Sequence, residues 1–105
     1  MPDKEYEVQL DDTELEWLRV RIRTEGGRVT AFTAQYETTY ENGRVAVVRY
    51  DKAHGFCHRD LLDRRGNEIR KDFIAGDEAT VLTQGKDDIV QNWPHYRSRF
   101  FEDEP

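Results

Sequence analysis

Three glycine-centred turn signals, Gly26-Gly27, Asn42-Gly43 and Arg65-Gly66-Asn67, stand between runs of residues that alternate in polarity. No other feature of the chain limits its fold as much. Gly-Gly and Asn-Gly accept the positive φ angles of tight hairpin turns, and alternation with period two marks a half-buried strand. Leu18, Val20 and Ile22 alternate with Trp17, Arg19, Arg21 and Arg23. Phe32, Ala34, Tyr36, Thr38 and Tyr40 alternate with Thr33, Gln35, Glu37 and Thr39. Residues 44–51 carry Val45 and Val47 on one face and Ala46 and Val48 on the other, which suits a strand inside a sheet. Two further strands fall near 58–63 and 68–73. The expectation is an antiparallel β-meander of four to five strands over 15–73. Ahead of it, the polar segment 1–12 has a Tyr6, Val8, Leu10 alternation that suits either an edge strand or a flexible arm.

The periodicity changes after Asp77, a residue type that caps helix N-termini. Leu82, Ile89, Trp93, Tyr96 and Phe100 are spaced by 7, 4, 3 and 4 residues, which keeps them on one helical face. This predicts a helical segment over 77–101, packed on one face of the sheet. Gly85 and Pro94 both work against a straight helix. A kink or break is expected near Pro94, with Asn92 placed to cap a second piece. The fold class is therefore α+β, and 105 residues suit a single domain over 1–105.

Hydrophobic and charged residues each make up 36% of the chain, enough apolar material for one sheet face and one helix stripe. The net charge of −6 argues against indiscriminate binding to nucleic acid or anionic membrane. Arginines nevertheless gather within 19–70, so a local basic site fits an acidic protein. The lone Cys57 allows no internal disulfide and suits a reducing compartment. No apolar run reaches the length of a membrane span, and a cytoplasmic location is expected. The row Arg19, Arg21, Arg23 reads first as a solvated face balanced by glutamates such as Glu37, and second as a phosphate-tracking stripe.

The densest cluster of titratable groups is the stretch 49–60, Arg-Tyr-Asp-Lys-Ala-His-Gly-Phe-Cys-His-Arg-Asp. Three chemistries compete there with a purely structural role. In metal-independent RNA cleavage, His54 and His58 act as acid and base, since imidazole titrates near neutrality. Arg49 and Arg59 then bind phosphate, and Tyr50 assists. A metal site would use Asp51, His54, His58 and Cys57, but on a strand the His-x-x-x-His spacing is not diagnostic. A Cys57 nucleophile needs a histidine on its own face, and His58, its neighbour in a strand, points to the other. In the structural reading the histidines order the loop, and Asp51 and Asp60 support the turn. No cofactor or resident metal is expected.

The motif Arg-Tyr-Asp-x-x-His-Gly-x-x-His-Arg-Asp at 49–60, with Asn-Trp-x-x-Tyr-x-x-Arg-Phe at 92–100, resembles a family of small prokaryotic proteins built on the same two motifs. The similarity runs from Thr30 to Phe101. Cys57 departs from the pattern, where proline is frequent, and is not carried over as a site residue. A looser similarity links Arg49, Tyr50, Asp51, His54, His58 and Arg59 to TumE-type toxins of toxin–antitoxin pairs. That resemblance implies a toxin-like ribonuclease of a prokaryotic or phage conflict system, acting on RNA and held by a cognate antitoxin. The alternative is a non-catalytic acidic interaction module, a regulator or inhibitor. Unpaired strand edges leave room for a homodimer, and no membrane partner is expected.

Overall fold

The computed structural model describes residues 3–53 and 55–102. Strands β1 (Asp3–Gln9), β2 (Glu16–Glu25), β3 (Arg28–Tyr40), β4 (Gly43–Ala53), β5 (Phe56–Leu62) and β6 (Glu68–Phe73) form one sheet, followed by helix α1 (Glu78–Glu102). The strands lie side by side in chain order and every neighbouring pair is antiparallel. The expected α+β meander is therefore observed, with six strands in place of four to five.

The additional strand is β1, from the segment read as an edge strand or an arm. It pairs along its whole length, from Asp3 opposite Arg23 to Gln9 opposite Trp17. This register sets Tyr6 and Val8 beside Val20 and Leu18, and sets Glu5 and Glu7 opposite Arg21 and Arg19. Apolar contact on one face and opposite charges on the other favour the same pairing. The turn into β2 lacks glycine because side chains build it. Asp11 Oδ1 accepts from the Thr13 amide at 3.0 Å, and Thr13 Oγ1 accepts from the Leu15 amide at 3.1 Å.

The core lies between one sheet face and α1. Tyr36, Val20 and Ile89 are fully buried, and Phe100 nearly so. Asp77 caps the helix, its Oδ1 accepting from the Thr80 amide at 2.8 Å. Of the kink or break expected near Pro94, the break does not occur, and Asn92 caps no second piece: α1 runs as one helix through Pro94 to Glu102. Pro94 and Val90 both sit on the solvent side, so the Val90 carbonyl that proline leaves without a donor stays in reach of water. Tyr96 and Phe100 anchor the following turns in the core.

Gly85 is the other residue expected to weaken the helix, and here it is required. A Cβ at this position would lie 2.7 Å from Tyr50 Cγ, so only glycine lets α1 settle onto the Tyr50 ring. The helix packs mainly on β3 and β4 and leaves β6 uncovered. The opposite face of the sheet carries no helix among the described residues. Among the described residues, no helix is long and apolar enough to cross a membrane.

Candidate functional site

Strand alternation divides the 49–60 cluster between the two sides of the sheet. The β4–β5 register pairs Arg49 with Asp60, Tyr50 with Arg59 and Asp51 with His58. Directly opposed residues share a face. Tyr50 and Arg59 therefore turn toward α1, while Arg49, Asp51, His58 and Asp60 lie on the open face. Two of the residues expected to act with His58, Tyr50 and Arg59, are on the far side of the sheet from it. Cys57 also faces α1, is buried, and has its thiol pushed up by that burial. Among the described residues it joins neither a metal set nor a nucleophilic pair with His58. His54 lies outside the described residues.

On the open face, His58 is only 4% exposed. Its Nδ1 is 3.2 Å from Asp60 Oδ1 and its Nε2 is 3.2 Å from Asp51 Oδ1. Lys71 on β6 donates to Asp60 Oδ1 at 2.8 Å and pairs with Glu68 at 3.1 Å. Arg49 donates from Nε to Gln35 Oε1 at 2.6 Å. The chain is engaged at its Lys71 end. At its Asp51 end, His58 Nε2 and Asp51 Oδ1 lie 3.2 Å apart out of hydrogen-bond alignment, and neither has another partner among the described residues. A buried polar atom that stays unmet costs about 1–3 kcal/mol, and such an atom either takes a water or ion or marks a strained or catalytic position. Burial pushes the Asp51 carboxyl above its ordinary value, with the Asp60 charge adding to the rise. His58, Arg49 and Lys71 pull the other way.

Asp51, His58 and Asp60 offer donor atoms within 4.8 Å of one another, a grouping able to hold a metal ion. The surrounding charge weighs against that occupant. Arg49 and Lys71 already face the two carboxylates, so a divalent ion would leave the cluster with excess positive charge. The Asp60 oxygen nearest the ring is also committed to Lys71. The arrangement fits a carboxyl at the surface, an imidazole behind it, and a second carboxylate orienting the ring.

Asp51 is 23% exposed at the side chain, and it borders an open cavity of about 260 Å³ lined also by Arg21, Arg23, Phe32, Thr33 and Lys52. Arg23 is tied to Asp3 at 3.4 Å and Lys52 to Glu78 at 2.6 Å. Arg19 pairs with Glu5 at 2.8 Å and lies 3.9 Å from Glu37. Arg21 is exposed and makes no ion pair among the described residues. The arginine row is thus largely the charge-balanced face expected, with Arg21 left over beside Asp51. Lys71 and the role of Arg21 were not singled out from sequence. Only the register brings Lys71 to Asp60 and Arg21 into the row of Asp51.

The helix side is differently built. Asp88 of α1 accepts from the Tyr50 hydroxyl at 2.7 Å, the Tyr96 hydroxyl at 2.5 Å and Asn92 Nδ2 at 2.7 Å. Arg59 donates to the Tyr96 hydroxyl at 3.1 Å and to Asp72 at 2.6 Å. Burial and the Asp88 charge push both tyrosines up, which keeps them as donors. These contacts fasten the helix to the sheet. Asp88 was also missed from sequence, although Asn92 four residues on is the kind of partner it takes on a helix face.

No curated protein and no solved structure matches the chain. A family model does match it over residues 1–104. The chain belongs to that family, described as a domain of unknown function, DUF7718.

Proposed function

We propose that the protein is a toxin-like, metal-independent ribonuclease of a prokaryotic or phage conflict system, in which Asp51 meets the substrate and His58 supports it from behind. One observation carries this reading. A carboxyl held above its ordinary pKa borders an open cavity beside Arg21, which makes no ion pair among the described residues, with a buried His58–Asp60 dyad at its back. Acid–base groups work best when their pKa moves toward the working pH, and perturbed carboxyls in clefts are candidates for that work.

In this reading Asp51 takes the proton of a ribose 2′-hydroxyl as its oxygen bonds to phosphorus. The bond from phosphorus to the 5′-oxygen then breaks, and that oxygen receives a proton. His54 keeps its expected role as the acid for this second transfer. Arg21 and Arg49 are the cations for the developing charge. His58, too buried to touch substrate, is a positioning residue. Tyr50 and Arg59 hold α1 in place. A cognate antitoxin covering the open face would silence the site.

The test is cleavage of mixed single-stranded and structured RNA by purified protein, with and without EDTA. Asp51→Asn should lose about 10²–10⁴-fold in rate with folding intact, and the wild-type activity should survive EDTA. No cutting, or equal cutting by the variant, refutes the proposal. Cutting abolished by EDTA transfers the site to an ion held by Asp51, His58 and Asp60. The rival reading, a non-catalytic interaction module, draws on the unpaired β6 edge with its exposed Ile69 and Phe73. It requires partner binding that survives Asp51→Asn and no turnover at all.

A further inference from the structure

Phe73 and Phe56 are the two most exposed large apolar side chains among the described residues, at 72% and 63%. Their rings meet edge to face with centroids 6.1 Å apart. Both lie on the open face. Phe73 is the direct β6 partner of His58, and Phe56 stands two residues before His58 on β5, where alternation returns the chain to the same side.

The cross-strand registers place these rings in line with the acid–base cluster. Arg21 pairs with Thr33, Thr33 with Asp51, Asp51 with His58 and His58 with Phe73. From Arg21 the row crosses five strands, with a cation that makes no ion pair among the described residues on one side, although Glu5 of β1 stands opposite it, Asp51 in the middle and an exposed aromatic at the other end. At about 4.8 Å between strands, Arg21 and Phe73 each stand roughly 10 Å from Asp51. Phosphate needs a cation and an unstacked base needs a flat apolar face, and the row offers one on either side of the group proposed to act between them.

We infer that Phe56 and Phe73 form a stacking platform for an unpaired nucleobase next to the scissile phosphate, making the substrate single-stranded RNA. This inference rests on the ribonuclease reading of the Asp51 cavity and adds the substrate's form to it. A base in a duplex keeps both its faces stacked and cannot lie on the platform. The chain's net charge of −6 bears on the same point. With little overall attraction for a polyanion, binding depends on local contacts of this kind.

The experiment uses the Asp51→Asn protein, so that RNA stays intact, and a fluorescent single-stranded RNA of mixed sequence at low salt. Folding of each variant is checked by circular dichroism. Replacing both Phe56 and Phe73 by Ala should weaken binding by about tenfold or more, since stacking one base on one aromatic is of that size. Phe73→Trp should retain binding, and its emission should be quenched by the single strand but not by a duplex of the same length. Unchanged affinity in the double variant overturns the inference. So does equal binding of the duplex, or a platform needed for self-association while no variant binds RNA. Single-strand binding that depends on the two rings, with no cleavage by wild type, would refute the nuclease and leave the platform standing.

Discussion

The two sides of the β4–β5 pair are built from the same short motif and differ in how fully their carboxylates are engaged, although Arg59 Nε on the helix side is also buried without a hydrogen bond among the described residues. On the helix side, the Tyr50 and Tyr96 hydroxyls and the Asn92 amide all donate to Asp88. On the open side, Asp51 and His58 bury two facing atoms that make no aligned hydrogen bond. A satisfied network stabilises and specifies a fold, whereas a buried polar pair left unmet lowers stability. Alternation thus lets a single run of residues supply a structural clasp on one face and a strained acid–base pair on the other.

Breaking the clasp should have the largest effect on stability. Asp88→Ala removes the acceptor of three donors and strands two partly buried tyrosine hydroxyls. Hydrogen bonds to a charged group are worth about 1.5–3 kcal/mol each, and solvent reaching the variant site returns part of that. A loss of about 2–4 kcal/mol in unfolding free energy is expected from urea denaturation. A loss below about 0.5 kcal/mol would mean that the helix is held by its apolar stripe alone. The contrast with the open face would then collapse.

The next effect tests the close approach under the helix. Ala is the better helix former by about 1 kcal/mol, so propensity alone predicts that Gly85→Ala stabilises. The added Cβ would fall 2.7 Å from Tyr50 Cγ, and overpacking of this kind costs about 1–3 kcal/mol. Net destabilisation of about 1 kcal/mol is expected, and it should vanish in a Tyr50→Ala background where the ring is absent. Stabilisation by Gly85→Ala in the wild-type background would show that α1 shifts freely over Tyr50.

Most of the sheet was legible because its signals are local. Gly26-Gly27, Asn42-Gly43 and the Gly66 turn fall between the strands they were expected to separate, and Asp77 caps the helix it was expected to start. The β1–β2 turn was less legible because Asp11 and Thr13 build it from side-chain acceptors, which resemble any polar loop in sequence. The unbroken helix at Pro94 depends on which side of α1 faces water, a fact set by packing. The cluster at 49–60 was found from sequence, but its division was not. Alternation implies that Tyr50 and Asp51 part company, whereas the pairing of Asp51 with His58 depends on where the β4–β5 turn falls. Lys71 reaches Asp60 only through the register of a further hairpin.

The smallest expected effect separates the two faces by pH. An acid whose pKa is higher folded than unfolded holds its proton more tightly in the fold. Between those two values the folded state binds more protons, so stability falls as pH rises through the folded pKa. Asp51 is such a group, raised mainly by burial and facing His58, Asp60, Arg49 and Lys71. Asp72, Asp77 and Glu78 have the opposite sign. Their lowered values come chiefly from hydrogen bonds, and they contribute stability that is lost as pH falls. The wild-type curve mixes both, but its difference from Asp51→Asn isolates the first. The variant should match wild type in acid and become the more stable protein as pH rises above the ordinary carboxylate value of about 3.9. A variant less stable than wild type at neutral pH would mean that the Asp51 carboxylate is a net stabilising partner of His58. The open face would then be a second clasp, and the strain taken as the mark of an acid–base site would not exist.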